Sequence, residues 1–167
     1  MHKAATPLLA LAATLALASP LAARDSLGMF GGWGAFRDPA APRCYAIAKA
    51  RDSTSQRDYQ PYATVANWPK RAIRGQVHFR LSRKLAAEPQ LGLRVGSKRF
   101  TLTGGGADAW AADKKDDAAI VAAMRSANTM TITARDSRGR RFANTYDLDG
   151  AATAMDSATV GCAKLGR

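Results

Sequence analysis

From Gln76 to Ser82 the side chains alternate in character: Val77, Phe79 and Leu81 are apolar, while His78, Arg80 and Ser82 are polar. A period of two belongs to a strand with one face in a core and the other in water. The same alternation returns in Thr129 to Arg135, with Met130, Ile132 and Ala134 on one parity, and in Arg141 to Leu148, with Phe142, Tyr146 and Leu148. Shorter segments read as further strands: Trp33 to Arg37 after Gly31-Gly32, Cys44 to Lys49, and Tyr62 to Trp68 ahead of Pro69. Leu91 to Val95 and Lys98 to Leu102 flank Gly96-Ser97, which suits a type II′ hairpin turn with glycine first. Polar loops lie between, Arg51 to Asp58 foremost among them. Many short strands with frequent turn signals predict a mainly β protein, an antiparallel sandwich or barrel.

Two helices interrupt the strands. Asp116 to Ala127 places Ile120, Val121, Met124 and Ala127 at helical spacing, with Asp113 or Asp116 as its cap. Ala151 to Ala158 repeats the stripe through Ala154 and Met155, with Asp149 expected as cap and Gly161 as stop. No internal repeat or long linker appears, so residues 24–167 read as a single domain.

The first residues read as an export leader. Met1-His2-Lys3 is positive, Leu8 to Ala18 is apolar, Pro20 breaks the run, and Leu21-Ala22-Ala23 offers small residues for cleavage. The expected signal peptide is 1–23, with Ala18 as a second possible cleavage point. The apolar run is too short to span a bilayer, which takes about 20 residues, and no later stretch is longer. The expected compartment is the periplasm, with outer-membrane association or secretion as its variants.

An oxidising compartment bears on the cysteines. There are two, Cys44 and Cys162, and they allow one intramolecular pairing across 118 residues. A structural disulfide is the expected state. Neither C-x-x-C nor a histidine neighbouring a cysteine in sequence supports a redox or nucleophilic thiol; intermolecular or free thiols are the alternative.

Chemistry-bearing patterns are sparse. His78 is the single histidine after the leader. It is expected to be solvent-facing or hydrogen-bonded, and a zinc site built on histidines fails by count. Gly104-Gly105-Gly106 is followed by Ala-Asp-Ala-Trp rather than Lys-Ser/Thr, so it reads as a loop before Trp110. Asp113, Asp116 and Asp117 precede an apolar helix beside Lys114 and Lys115, which suits capping and solvation. Asp147, Asp149, Gly150 and Asp156 fit part of a calcium loop, but Thr145 stands first and Asp156 replaces the bidentate Glu. No cofactor and no metal is expected.

Charge is more informative. The chain has 25 Lys/Arg against 13 Asp/Glu, a net +12. Residues 24–100 hold 15 of those cations and 5 of those acids. Arg74, Arg80, Lys84, Arg94, Lys98 and Arg99 are the candidate anion-binding residues. Arg74, His78, Arg80 and Lys84 share one parity, opposite Val77, Phe79 and Leu81, so an unbroken strand would present a basic face. Such a face attracts anionic envelope components or a cell-surface protein, and salt weakens the attraction. A solvated outer face is the plain alternative. Export, and the lack of aromatic residues interleaved with the basic stripe, argue against nucleic acid.

Asn144-Thr145-Tyr146-Asp147-Leu148-Asp149-Gly150-Ala151-Ala152-Thr153-Ala154, with Met155 and Cys162 beyond it, resembles the closing motif of the invasion-associated locus B family. Trp33-Gly34-Ala35-Phe36 and Cys44 resemble its opening segment, and Trp110 and Ala123 to Arg125 fit between. Asn144 stands for the family's Asp, Asp147 for Ser and Ala151 for Phe, and there are fewer cysteines than in many members. The resemblance implies an immunoglobulin-like antiparallel β-sandwich with two short helices, in the periplasm or at the outer membrane, of a kind linked in pathogens to host-cell entry. It supplies no catalytic residue. The expected function is a non-enzymatic exported interaction protein. The competing class is a periplasmic hydrolase of an envelope polymer, which needs His78 gathered with several of the clustered carboxylates.

Overall fold

The computed structural model describes residues 24–163 and Leu165. The expected leader, Met1 to Ala23, lies outside the described residues. The elements run β1 (Asp25–Phe30), β2 (Trp33–Asp38), β3 (Arg43–Lys49), β4 (Tyr62–Trp68), a 3-10 turn (Pro69–Arg71) and β5 (Ile73–Arg80). They continue with β6 (Leu91–Val95), β7 (Lys98–Gly105), β8 (Asp108–Ala111), α1 (Lys114–Met124), β9 (Thr129–Arg135), β10 (Arg141–Asp147) and α2 (Ala151–Cys162). All ten strands join one antiparallel ladder in the order β1-β2-β3-β4-β5-β8-β7-β6-β9-β10. The expected mainly β architecture with two helices therefore forms, and its strands hydrogen-bond as one sheet rather than as two separate ones.

Alternation sets the two faces. Val77 and Phe79 of β5, Leu91 and Leu93 of β6, Met130 and Ile132 of β9, and Tyr146 of β10 all turn inward and are buried. Burying each such side chain contributes about 1.5–3 kcal/mol before conformational entropy is subtracted. The same core takes Trp33 and Ala35 from the other end of the ladder. The Trp33 indole N–H donates to the Asp147 carbonyl at 2.8 Å. The Arg51 amide donates to the Thr145 carbonyl at 2.7 Å. β10 is thereby brought against the first strands although the ladder places it farthest from them.

α2 packs its small residues Ala151, Ala154 and Ala158, all fully buried, against β2 and β3. Cys162 at its end is bonded to Cys44 of β3, with Cα atoms 5.5 Å apart. Gly161 is not the expected stop but lies inside the helix, where a Cβ would strike the Leu27 side chain of β1. Nor does Asp149 cap the helix: the N-cap is Gly150, at φ +80° and without a side-chain hydrogen bond. A Cβ on Gly150 would collide with the Phe30 carbonyl, so β1 and the start of α2 can meet only across a glycine. At α1 the expected cap holds, with Asp113 accepting from the Asp116 amide at 2.8 Å.

Two strands went unrecognised in the sequence. β1 carries Gly28 at φ +135° and a bulge between Ser26 and Gly28, which breaks its alternation. β8 is four residues long, and the Gly104-Gly105-Gly106 segment expected as a loop is the end of β7 and the turn that leads into it. Gly96 has φ +57° while Ser97 does not enter the positive-φ region, as a type II′ turn requires.

Candidate anion-binding face

The outward residues of β7, β6, β9 and β10 form a second surface opposite the core. Arg94 stands opposite Arg99 across β6 and β7, and opposite Thr131 across β6 and β9. Arg135 stands opposite Arg141 across β9 and β10. All four arginines are exposed. Among the described residues, none of the four is in an ion pair with a carboxylate. Arg135 makes one internal bond, to the Gly139 carbonyl at 2.8 Å. Like charges directly opposed across a ladder repel, so each pair raises the local positive potential.

A polar floor joins the pairs. Two shallow depressions of 560 and 840 Å³ share Gly92, Thr101 and Thr133 in their linings. The first is also lined by Arg94 and Arg99, the second by Arg135 and Arg141. Gly92 keeps the floor low, since a Cβ there would stand 3.3 Å from the Thr133 Oγ1. Thr131 and Arg135 are four positions apart on β9, about 13 Å along the strand. The face thus offers guanidiniums at two ends and threonine hydroxyls between, a donor set for an extended anion.

The expected basic stripe is only partly assembled. Arg94 and Arg99 are together, and Lys98 sits beside them, exposed at the start of β7. Arg74 is separated from His78 by a bulge: Ala66 pairs with Gln76 but Trp68 with Ile73, which puts an extra residue on β5, where Gly75 has φ +67°. The parity that linked Arg74 to His78 and Arg80 fails at that point. Lys84 lies beyond the end of β5, in the segment whose Lys84 carbonyl accepts from the Ser137 amide at 2.9 Å. Arg80 is on the outer face but donates to Asp108 at 2.7 Å and stacks 4.4 Å over the Tyr59 ring. Arg135 and Arg141 were missed because nothing local says that β9 pairs with β6.

His78 meets Asp108 at 3.0 Å and none of the clustered carboxylates. Asp113 is occupied at the α1 cap. Asp117 accepts from the Val77 amide at 2.7 Å, just where β8 ends its pairing with β5. Burial pushes the Asp117 carboxyl up; the Val77 amide only partly opposes this, and Asp113 and Asp116 add to the rise. The acids of the would-be calcium loop are also engaged. Asp147 accepts from Arg51 at 3.0 Å, and Asp156 from Arg125 at 3.2 Å. Those guanidinium bonds hold both carboxyls below the ordinary range, with desolvation opposing them.

The family-like closing motif is architectural. Tyr146 and Leu148 are buried, and Asn144 accepts from the Ser82 amide at 3.0 Å while donating to the Ser82 hydroxyl at 2.9 Å. A one-sheet antiparallel β protein, its last helix fastened to an early strand by a disulfide and its outer face cationic, is what these features define. Residues 35–159 match the model of the Invasion associated locus B (IalB) protein family, and the chain belongs to that family. No curated protein and no solved structure matches it. The family is not a known enzyme family.

Proposed function

We propose that this chain is an exported, non-enzymatic binding protein of the Gram-negative envelope, which holds an anionic envelope or cell-surface polymer on the β7-β6-β9-β10 face. The leader-like start, the family membership and the disulfide support the compartment. The observation that carries the binding reading is the register that opposes Arg94 to Arg99 and Arg135 to Arg141 on one exposed surface. Charge of one sign along a shallow face raises the local concentration of a polyanion and makes its capture salt-sensitive. The protein acts by holding its ligand, not by bond chemistry.

The test is retention on heparin and on lipopolysaccharide aggregates across a salt gradient. Arg94→Glu with Arg99→Glu, and separately Arg135→Glu with Arg141→Glu, should each elute at clearly lower salt than the parent protein. Arg74→Glu with Lys84→Glu should change elution far less. Equal effects from all three double variants would mean that only total charge matters, and the site would be lost.

A further inference from the structure

A different patch of the outer face has the chemistry to hold a sugar ring. β8 pairs with β5 so that Trp110 stands opposite His78 and Asp108 opposite Arg80, and β4 places Tyr62 opposite Arg80. The His78 ring is 5.2 Å from the Trp110 ring and 5.9 Å from that of Tyr62. Trp110 and Tyr59 are each 38% exposed, two of the few large hydrophobic residues left open to solvent. The inward neighbours of this patch, Val77, Phe79 and Ala109, are buried, so the aromatic groups face away from the core.

The polar groups between the rings are paired but not saturated. Asp108 accepts one bond from His78 on Oδ1 and one from Arg80 on Oδ2. A carboxylate has about four acceptor positions, and a guanidinium has five N–H donors. Acceptor sites on Asp108 and donors on Arg80 therefore remain beside an open indole.

We propose that Trp110, His78, Asp108 and Arg80 form a platform for one pyranose ring of a glycan. The C–H face of a sugar carries slight positive charge and lies well on the electron-rich face of an indole. Its hydroxyls both donate and accept, so neighbouring hydroxyls can donate to Asp108 and accept from Arg80. Charge sets the class of ligand. One carboxylate offsets one guanidinium here, so the patch has no excess positive charge with which to draw a phosphodiester chain over the indole. An uncharged sugar needs no such attraction, and a nucleic acid does. This platform does not depend on the arginine face, since Arg99 lies four residues along β7 from Thr103, the partner of Trp110.

The experiment is a titration of the isotope-labelled protein, residues 24–167 with the disulfide formed, followed by NMR at the Trp110 indole N–H. The probes are the β-1,4-linked tetramer of N-acetylglucosamine, maltotetraose and a hexathymidylate. At least one tetrasaccharide should shift the Trp110 signal saturably, with a dissociation constant on the order of 1 mM. Followed at the backbone amides of His78 and Thr103, the cross-strand partners of residue 110, Trp110→Ala should weaken binding about tenfold or more, and Trp110→Phe should restore part of it. Arg94→Glu with Arg99→Glu should leave the sugar response intact while heparin retention falls, which separates a failure here from a failure of the anion-binding reading. No shift with either sugar up to about 10 mM, or tighter binding of hexathymidylate at Trp110, overturns the proposal.

Discussion

Arg94 and Arg99 face each other across the hairpin formed by β6 and β7, with the Arg94 carbon backbone in register with that of Arg99 and no carboxylate to separate the two charges. The ladder would be quieter with an acid at either place. Opposite charges in directly facing positions attract where like charges repel. Arg99→Glu should therefore raise the melting temperature at low salt by about 1–3 °C, while heparin retention drops. A stabilised protein that still binds heparin as before would show that the pair serves only solubility.

Reduction gives a second prediction. The Cys44–Cys162 bond closes a loop of 118 residues, for which loop entropy gives about 4–5 kcal/mol. Native strain and residual structure in the unfolded chain lower such figures, so a loss of about 2–5 kcal/mol is expected for Cys44→Ser with Cys162→Ser. Urea unfolding of parent and variant measures it directly. A loss of less than about 1 kcal/mol would mean that α2 is held by its alanine face and not by the bond.

Asp136 contributes to the acid limb. Burial pushes its carboxyl up, but bonds from the Arg140 amide and side chain, the Arg138 amide and the Arg83 side chain outweigh that and hold it at about 2, against an ordinary 3.8. A folded value below the unfolded one stabilises the protein above the unfolded value and ceases to do so as pH falls through the folded one. The stability gap between the parent and Asp136→Asn should be full above about pH 4 and close towards pH 2. Denaturant titrations at several pH values test this; a gap unchanged down to pH 2 would contradict it.

The meeting of β1 with α2 yields a fourth. Gly150→Ala places a Cβ against the Phe30 carbonyl at a backbone φ of +80°, and backbone cannot turn aside as a side chain can. A loss of about 2 kcal/mol or more is expected. Gly161→Ala meets only the Leu27 side chain, which can rotate, and should cost less. The two variants compared by thermal melts give the order, and the reverse order would rule out the packing described.

What the sequence disclosed follows from the range of the forces involved. Alternation in β5, β9 and β10, the Gly96-Ser97 turn and the Asp113 cap are local, and each is visible in its own residues. β1 hid behind Gly28, and β8 was too short to show a period. The basic stripe failed for a different reason. One bulged residue near Gly75 detached Arg74, and Asp108, from a strand that was not recognised, took Arg80. Arg135 and Arg141 joined Arg94 and Arg99 only because β9 pairs with β6 across a gap that contains β7, β8 and α1. Such pairings are decided by the packing of the whole core, and no short window of residues contains them.

Both fastenings of the early strands come from far down the chain. Cys44 waits for Cys162, and the Trp33 indole waits for the Asp147 carbonyl. A polypeptide emerging from its N-terminus, from a ribosome or a pore, exposes β1 to β3 long before either partner exists. Contacts so distant along the chain make for slow folding. The opening strands can pair with one another early, but the closed core sets only once β10 and the final helix have arrived to meet them.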